Sequence, residues 1–311
     1  MAVTAALIKE LRGITGVGMS DCKAALVETD GDIEKAIEVL RKKGMAKAEK
    51  KAGRVAAEGL SYAYITEDGK TAAAVEVNSE TDFVAKNEIF RTYVEDVAKQ
   101  AVATNAADMD AFMAEPWIDD ASKTVKDVLV EKISVISENL SIRRFKKFVA
   151  DDNSLFVSYL HAGGKVAVLL EFATDVKNDA LVEAGKNVCM QIAAMSPKFV
   201  RREEISADFL AKEKEILTAQ AKEDPKNAGK PENILEKMIE GRLNKEMKEF
   251  CLVDQEYVKD DKISVGKYIE NVAKEIGGNV SIKQFVRFET GEGIEKKEEN
   301  FADEVAKAVQ G

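Results

Sequence analysis

The stretch SYAYITEDGKTAAAVEVNSETDFVAKN, Ser61 to Asn87, decides the fold. It opens on a Ser-Tyr pair and turns at Gly69-Lys70. The apolar run AAAVEV, Ala72 to Val77, has the length of a buried strand. EIFRTYVEDVAKQAV, Glu88 to Val102, then has the apolar spacing of a helix. A second stretch, SYLHAGGKVAVLLEFATDVKN from Ser158 to Asn178, repeats the pattern: Ser-Tyr, Gly-Lys, an apolar strand, Thr-Asp and Lys-Asn. DALVEAGKNVCMQIAAM, Asp179 to Met195, follows as its helix. Strand, turn, strand, helix is thus used twice, which predicts an α+β protein with two related core subdomains. The copies differ at the corner, where the first has Phe83 after its Thr-Asp and the second has Val176. A phenylalanine is therefore no requirement of the corner itself.

Outward from the repeat, the N-terminal segment predicts three short helices. Thr4 caps the first, with Leu7, Ile8, Leu11 and Ile14 on one face and Gly16 closing it. Ser20 or Asp21 is a cap for the second; Gly31 breaks it, Asp32 caps the third, and Gly44 is the expected end. The basic run Arg41 to Arg54 has no aromatic residue for base stacking and reads as a solvated helical linker and hinge. Ile205 to Lys222 and Glu232 to Phe250 are charged amphipathic helices, with Leu210, Ile216, Leu217 and Leu235, Ile239, Leu243, Met247 as their apolar seams. Pro225, Gly229 and Pro231 mark the turn of an antiparallel helical hairpin between them. SIKQFVRFETGEG returns to strand character, and ENFADEVAKAV predicts a C-terminal helix. The expected division is a bundle at 1–50, a first subdomain at 51–150, and a second at 151–202 and 251–290. The hairpin at 203–250 and a module at 291–311 complete it.

Composition removes several functions. No apolar run among the 311 residues approaches the ~20 needed for a membrane span. The start lacks the order of a signal peptide, and Cys22, Cys189 and Cys251, far apart and odd in number, suit reduced thiols in a cytoplasm. A net charge of −10 disfavours direct nucleic-acid binding. His161 is the single histidine, so a multi-histidine zinc site is impossible, and no GxSxG elbow exists for a hydrolase triad. HAGGKV fails as a phosphate loop, because Tyr159 replaces its first glycine and Val166 follows the lysine. GVGMSD and GEGIEK fail as dinucleotide turns. No catalytic residues, cofactor or metal are expected.

LIKELRGITGVGMSDCKAALVETDGDIEKAIEVLRKKG, EVNSETDFVAKN, SENLSIRRF, SYLHAGGKVAVLLE and FVRFETGEGIEK, in this order, resemble the elongation factor Ts family over almost the whole chain. The resemblance implies a ubiquitin-associated-like N-terminal bundle and a guanine-nucleotide exchange factor for the GTPase elongation factor Tu. It implies that Thr81, Asp82, Phe83 and Val84 enter the GTPase and disturb its magnesium ion. It makes Met19 and His161 partner contacts, the hairpin a dimerisation element, and the last helix a further contact module.

The residues by themselves leave other readings open. Asp82 suits a helix cap, and Phe83 could staple back onto Ile89 or Phe90. Met19 suits a local core, and His161 suits an incidental strand position. A seam of Leu and Ile does not establish a dimer. Beside the exchange factor stand a non-catalytic scaffold that tethers partners through its bundle, and an enzyme using the turn from His161 to Lys165.

Overall fold

The computed structural model describes residues 3–227 and 229–295. The expected C-terminal helix, and with it residues 296–311 of the 291–311 module, lies outside the described residues. Among those described, the chain forms two compact units, one from residues up to Tyr62, 73–147 and from Phe288 on, the other from 63–72 and 148–287.

Three helices begin the first unit: α1 (Ala5–Thr15), α2 (Met19–Glu28) and α3 (Ile33–Lys51). Ile8, Leu11, Cys22, Ala25, Leu26, Ala36 and Leu40 form their core. Thr4 accepts from the Leu7 N–H at 3.3 Å, Gly16 ends α1 at φ 68°, and Asp32 accepts from the Lys35 N–H at 3.1 Å, as the capping signals predict. Three local expectations are corrected. Ile14 is 59% exposed rather than on the buried face. Helix α2 already begins at Met19, behind Gly18, so neither Ser20 nor Asp21 is its cap. Helix α3 does not end at Gly44 but continues through the basic run to Lys51. Gly44 serves packing instead: a Cβ there would lie 2.5 Å from Ser134 Oγ.

The first core segment comprises β1 (Glu58–Ile65), β2 (Thr71–Ser79), the single-turn α4 (Asp82–Ala85) and α5 (Glu88–Ala103). It continues through α6 (Met109–Ala114), β3 (Pro116–Trp117), β4 (Asp120–Thr124), α7 (Val125–Ile136) and β5 (Leu140–Val149), with sheet order β1-β2-β5. Helix α3 docks on α7, where Arg41 pairs with Asp127 at 2.9 Å, so the bundle is seated rather than hinged on a free linker.

The second core segment comprises β6 (Ser154–His161), β7 (Val166–Thr174) and α8 (Asp179–Met195). Helices α9 (Ala207–Glu223) and α10 (Glu232–Phe250) follow, packed on each other through Leu217, Ala221, Ile239 and Leu243. Of the expected seam, Leu217, Ile239 and Met247 are buried within the chain, while Ile216 is 40% exposed. After it come β8 (Glu256–Tyr257), β9 (Asp260–Ser264), α11 (Val265–Ile276) and β10 (Val280–Glu289), with sheet order β10-β7-β6. Strands β6 and β7 pair antiparallel, from Ser154 opposite Ala173 to His161 opposite Val166.

The repeat runs deeper than the strand–turn–strand–helix unit. Gln100 on α5 donates to the Pro116 carbonyl at 3.2 Å and accepts from the Ile118 N–H at 2.8 Å. Gln191 on α8 likewise donates to the Glu256 carbonyl at 3.1 Å and accepts from the Val258 N–H at 2.8 Å. Each unit thus adds the same ribbon, helix and third strand. Each central strand also carries a fully buried carboxylate. Glu76 accepts from Arg143 at 2.9 Å, Arg144 at 2.5 Å, Asn78 at 3.0 Å and the Gly291 N–H at 2.8 Å. Glu171 accepts from Ser154 at 2.5 Å, Lys283 at 2.8 Å and Gln284 at 2.6 Å. A buried carboxylate is tolerable only when so fully bonded.

Burial alone pushes the Glu76 carboxyl up, but the Gly291, Asn78 and Arg143 hydrogen bonds and the Arg144 charge outweigh it and hold it below the usual range. Its stabilisation is therefore present above the ordinary carboxylate pKa and is lost as pH falls through the depressed one. Glu76→Gln should lower unfolding free energy by about 3 kcal/mol near neutral pH, the range for breaking a buried pair. Urea unfolding should show the gap to wild type closing below about pH 4, near and under the reference value for glutamate.

Candidate functional site

The corner after β2 is built from both sides. Thr81 caps α4 by accepting from the Val84 N–H at 3.4 Å. Its own N–H and hydroxyl donate to the two oxygens of Glu138, at 3.0 and 2.6 Å. Ser79 Oγ donates to the Thr81 carbonyl at 3.0 Å, and Glu80 accepts from the Asn139 N–H at 2.5 Å. Asn87 then caps α5, accepting from the Ile89 N–H at 2.8 Å. Asp82 is therefore not the cap of either helix. It lies in the first turn of α4 and pairs with Lys86 at 2.6 Å, an exposed contact of small energetic weight.

Phe83 is 80% exposed, more than any other large apolar side chain among the described residues. It does not staple onto Phe90, which is fully buried, and Ile89 is itself 48% exposed. Lys86 Nζ stands 5.9 Å from the ring centre. Val84 is half-buried, and Ala85 anchors the turn beneath. The backbone of the corner is tied down while its largest apolar group faces solvent.

The second copy shows what such a corner needs. Thr174 Oγ1 donates to the Val176 carbonyl at 2.9 Å, as Ser79 does to Thr81. Asp175 accepts from the Asn279 N–H at 2.7 Å, as Glu80 does from Asn139. Thr174-Asp175 thus corresponds to Ser79-Glu80, not to Thr81-Asp82 as the sequence pattern suggests. Only Val176 and Lys177 then separate Asp175 from Asn178, which caps α8, whereas residues 81–86 separate Glu80 from Asn87. The first corner is four residues longer, and α4, with Asp82, Phe83 and Val84, is the extra turn.

Met19, at the start of α2, is 39% exposed, and Ile14, Val27 and Met45 on the same bundle are exposed further. His161 is exposed at the end of β6, where its Nδ1 lies 3.1 Å from the Tyr159 hydroxyl. Ala162, Gly163 and Gly164 form the turn beyond it with positive φ. No group of three or more metal-ligating residues converges among the described residues. The three cysteines are buried, and burial pushes the Cys251 thiol up to about 11, which leaves it a poor nucleophile. Glu138 and Asn139 also build the corner, and no local sequence signal singles them out. The one signal present is the parallel between Asn139-Leu140-Ser141-Ile142 and Asn279-Val280-Ser281-Ile282.

A family model described as Elongation factor TS matches residues 80–292, from the corner through β10. The chain belongs to the elongation factor Ts family. An elongation factor Ts of Clostridium botulinum (strain Alaska E43 / Type E3) is 52% identical over 307 residues, covering 99% of each chain. Those of Clostridioides difficile (strain 630) and Clostridium tetani (strain Massachusetts / E88) are each 49% identical over 308 residues and cover 99% of this chain. These full-length matches include the N-terminal bundle, which the family model leaves out. Membership makes the chain a translation elongation factor, so the exposed corner belongs to a protein of that process.

The geometry separates stability from display. Phe83→Ala should leave the isolated protein's unfolding free energy within about 1 kcal/mol, because an exposed ring has little burial to lose. Phe90→Ala, seven residues on and fully buried, should cost about 3–5 kcal/mol. Thermal unfolding of the two variants side by side checks the contrast.

Proposed function

We propose that this protein is a guanine-nucleotide exchange factor in the cytoplasm, acting on elongation factor Tu without catalysing a covalent step. The carrying observation is Phe83, 80% exposed on an extra turn whose backbone is held by Glu138. A GTPase retains GDP through backbone donors around the phosphates and a magnesium ion that neutralises them. An exchange factor needs only to bind the nucleotide-free form more tightly than the GDP form. Coupling is reciprocal, with about 1.4 kcal/mol for each tenfold change in GDP affinity. Burying one phenylalanine in the partner supplies roughly 1.5–3 kcal/mol of such bias.

In this reading Phe83 wedges apart packed side chains near the magnesium site, and Val84 and Ala85 support the turn behind it. Asp82 exchanges its contact with Lys86 for hydrogen bonds to the displaced segment, and Thr81 holds the entry to the turn. Met19 and the exposed apolar residues around it dock the bundle on the same GTPase, and His161 makes a separate contact from the second unit. Binding through the bundle contributes affinity, while the corner contributes the exchange step.

The scaffold reading gives the bundle the same apolar surface but no task to Phe83. Release of labelled GDP from purified elongation factor Tu distinguishes the two. The wild-type chain should accelerate release at substoichiometric amounts, and a chain that does not is no exchange factor. Phe83→Ala should reduce the maximal rate at least tenfold, a loss of at least ~1.4 kcal/mol of transition-state stabilisation. Met19→Ala should instead raise the half-saturating concentration several-fold and leave the maximal rate in place.

A further inference from the structure

We infer that Glu138 is a positioning residue for exchange: it holds Thr81 by two hydrogen bonds so that Phe83 is offered to the GTPase in one orientation. This role rests on the exchange reading above. The geometry is bidentate. One carboxylate oxygen takes the Thr81 N–H at 3.0 Å and the other takes the Thr81 hydroxyl at 2.6 Å. Hydrogen bonds to an ionised carboxylate are the stronger kind, and a pair of them fixes direction as well as distance.

The internal repeat shows that this contact is not part of the common fold. Helix α7 ends at Ser137 with φ 67°, and α11 ends at Gly277 with φ 69°. Asn139 and Asn279, two residues further on, make the same hydrogen bond to the end of the central strand. Between them, the first unit has Glu138 and the second has Gly278. A Cβ on Gly278 would lie 2.5 Å from Val176 Cγ2 and 2.9 Å from Asp175 Oδ1. In the short corner a side chain at that position would have to displace Val176 and the clamp carboxylate of Asp175. The longer corner has the room, and a carboxylate fills it. The extra turn and the residue that grips it occur together, in the one unit that displays a phenylalanine.

The asparagine clamp already closes the strand end in both units, so the fold does not need Glu138 for that purpose. What Glu138 adds is restraint on Thr81, the cap of the extra turn. An exposed ring on an unrestrained turn samples many orientations, and only the fraction that fits the partner is productive. Restraining it in advance raises the rate of the bound complex more than its affinity.

The test uses the full chain with Glu138→Ala, Glu138→Gln, Phe83→Ala and the Phe83→Ala/Glu138→Ala double variant. Amide hydrogen exchange of the free protein reads the restraint directly: protection at Thr81 should fall about tenfold or more in Glu138→Ala, with thermal unfolding shifted by only a few degrees. Labelled-GDP release should show the maximal rate falling about tenfold at saturating factor, with little change in the half-saturating concentration. Glu138→Gln, which keeps one acceptor oxygen, should lie between. The double variant should be no slower than Phe83→Ala, because Glu138 acts through that ring. A full maximal rate in Glu138→Ala, or losses that add in the double variant, overturns the role. If the wild-type chain itself fails to accelerate release, the exchange reading falls and this role falls with it. If wild type accelerates and Glu138→Ala matches it, only Glu138 is wrong.

Discussion

The hydrogen bond from the Asn139 N–H to Glu80, with its counterpart from the Asn279 N–H to Asp175, is the constraint from which the corners follow. In each unit the central strand has to end, and the chain has to pass into a helix without leaving buried backbone groups unpaired. A carboxylate just past the strand end meets the backbone of the next helix–strand turn, so two sequence-distant segments are tied at one point. Asn139 is only 8% exposed and also donates to the Arg54 carbonyl at 2.8 Å, which ties the segment just after the bundle's last helix to the same place. With closure achieved there, the residues between clamp and next helix are relieved of structural duty. Their number can differ, and between the two units it does.

That relief explains how a large apolar side chain stands in solvent at no structural cost. Leaving a phenylalanine exposed forgoes the roughly 1.5–3 kcal/mol its burial would contribute, but it removes no core contact. The cores lie elsewhere: Phe90, Tyr93 and Val97 on α5, and Phe172, Leu181 and Val188 in the second unit, are fully buried. The two buried glutamates belong to the same logic. Glu76 and Glu171 occupy equivalent places on the central strands, and each gathers side chains from the third strand of its sheet. They pin that strand's register, so the turn that carries Glu138 or Gly278 arrives at the corner in a set position.

Much of this was legible in the sequence, and the failures have physical causes. The strand–turn–strand–helix repeat was readable because its turn residues and apolar runs are local signals. Phe83 stands out in the sequence because the second copy has Val176 after its Thr-Asp. The alignment of the corners was misread because Thr-Asp occurs in both copies at positions that are not equivalent. Sequence identity pointed to Thr81-Asp82, while the hydrogen bonds pair Thr174-Asp175 with Ser79-Glu80. Gly44 carries the signal of a helix stop because glycine usually is one; here it is a contact, which only the packing of α3 against Ser134 reveals. The buried carboxylates were invisible for a similar reason. A glutamate in an apolar strand looks like an exposed position until its partners, more than a hundred residues away for Lys283 and Glu171, are brought to it.

The proposed exchange role sets two demands. Its surface must be exposed and apolar enough to gain from burial in a partner, yet ordered enough that this gain is not spent on fixing its own conformation. A loop would meet the first demand and fail the second, and a core residue would do the reverse. An extra helical turn, four residues long and held at its cap Thr81 by a carboxylate from a neighbouring segment, meets both. The fold accommodates this because the clamp that closes the corner is complete in both units. The comparison of Glu138 with Gly278 therefore separates what the architecture requires from what the first unit has in addition, an exposed ring and a carboxylate that holds the cap of its turn.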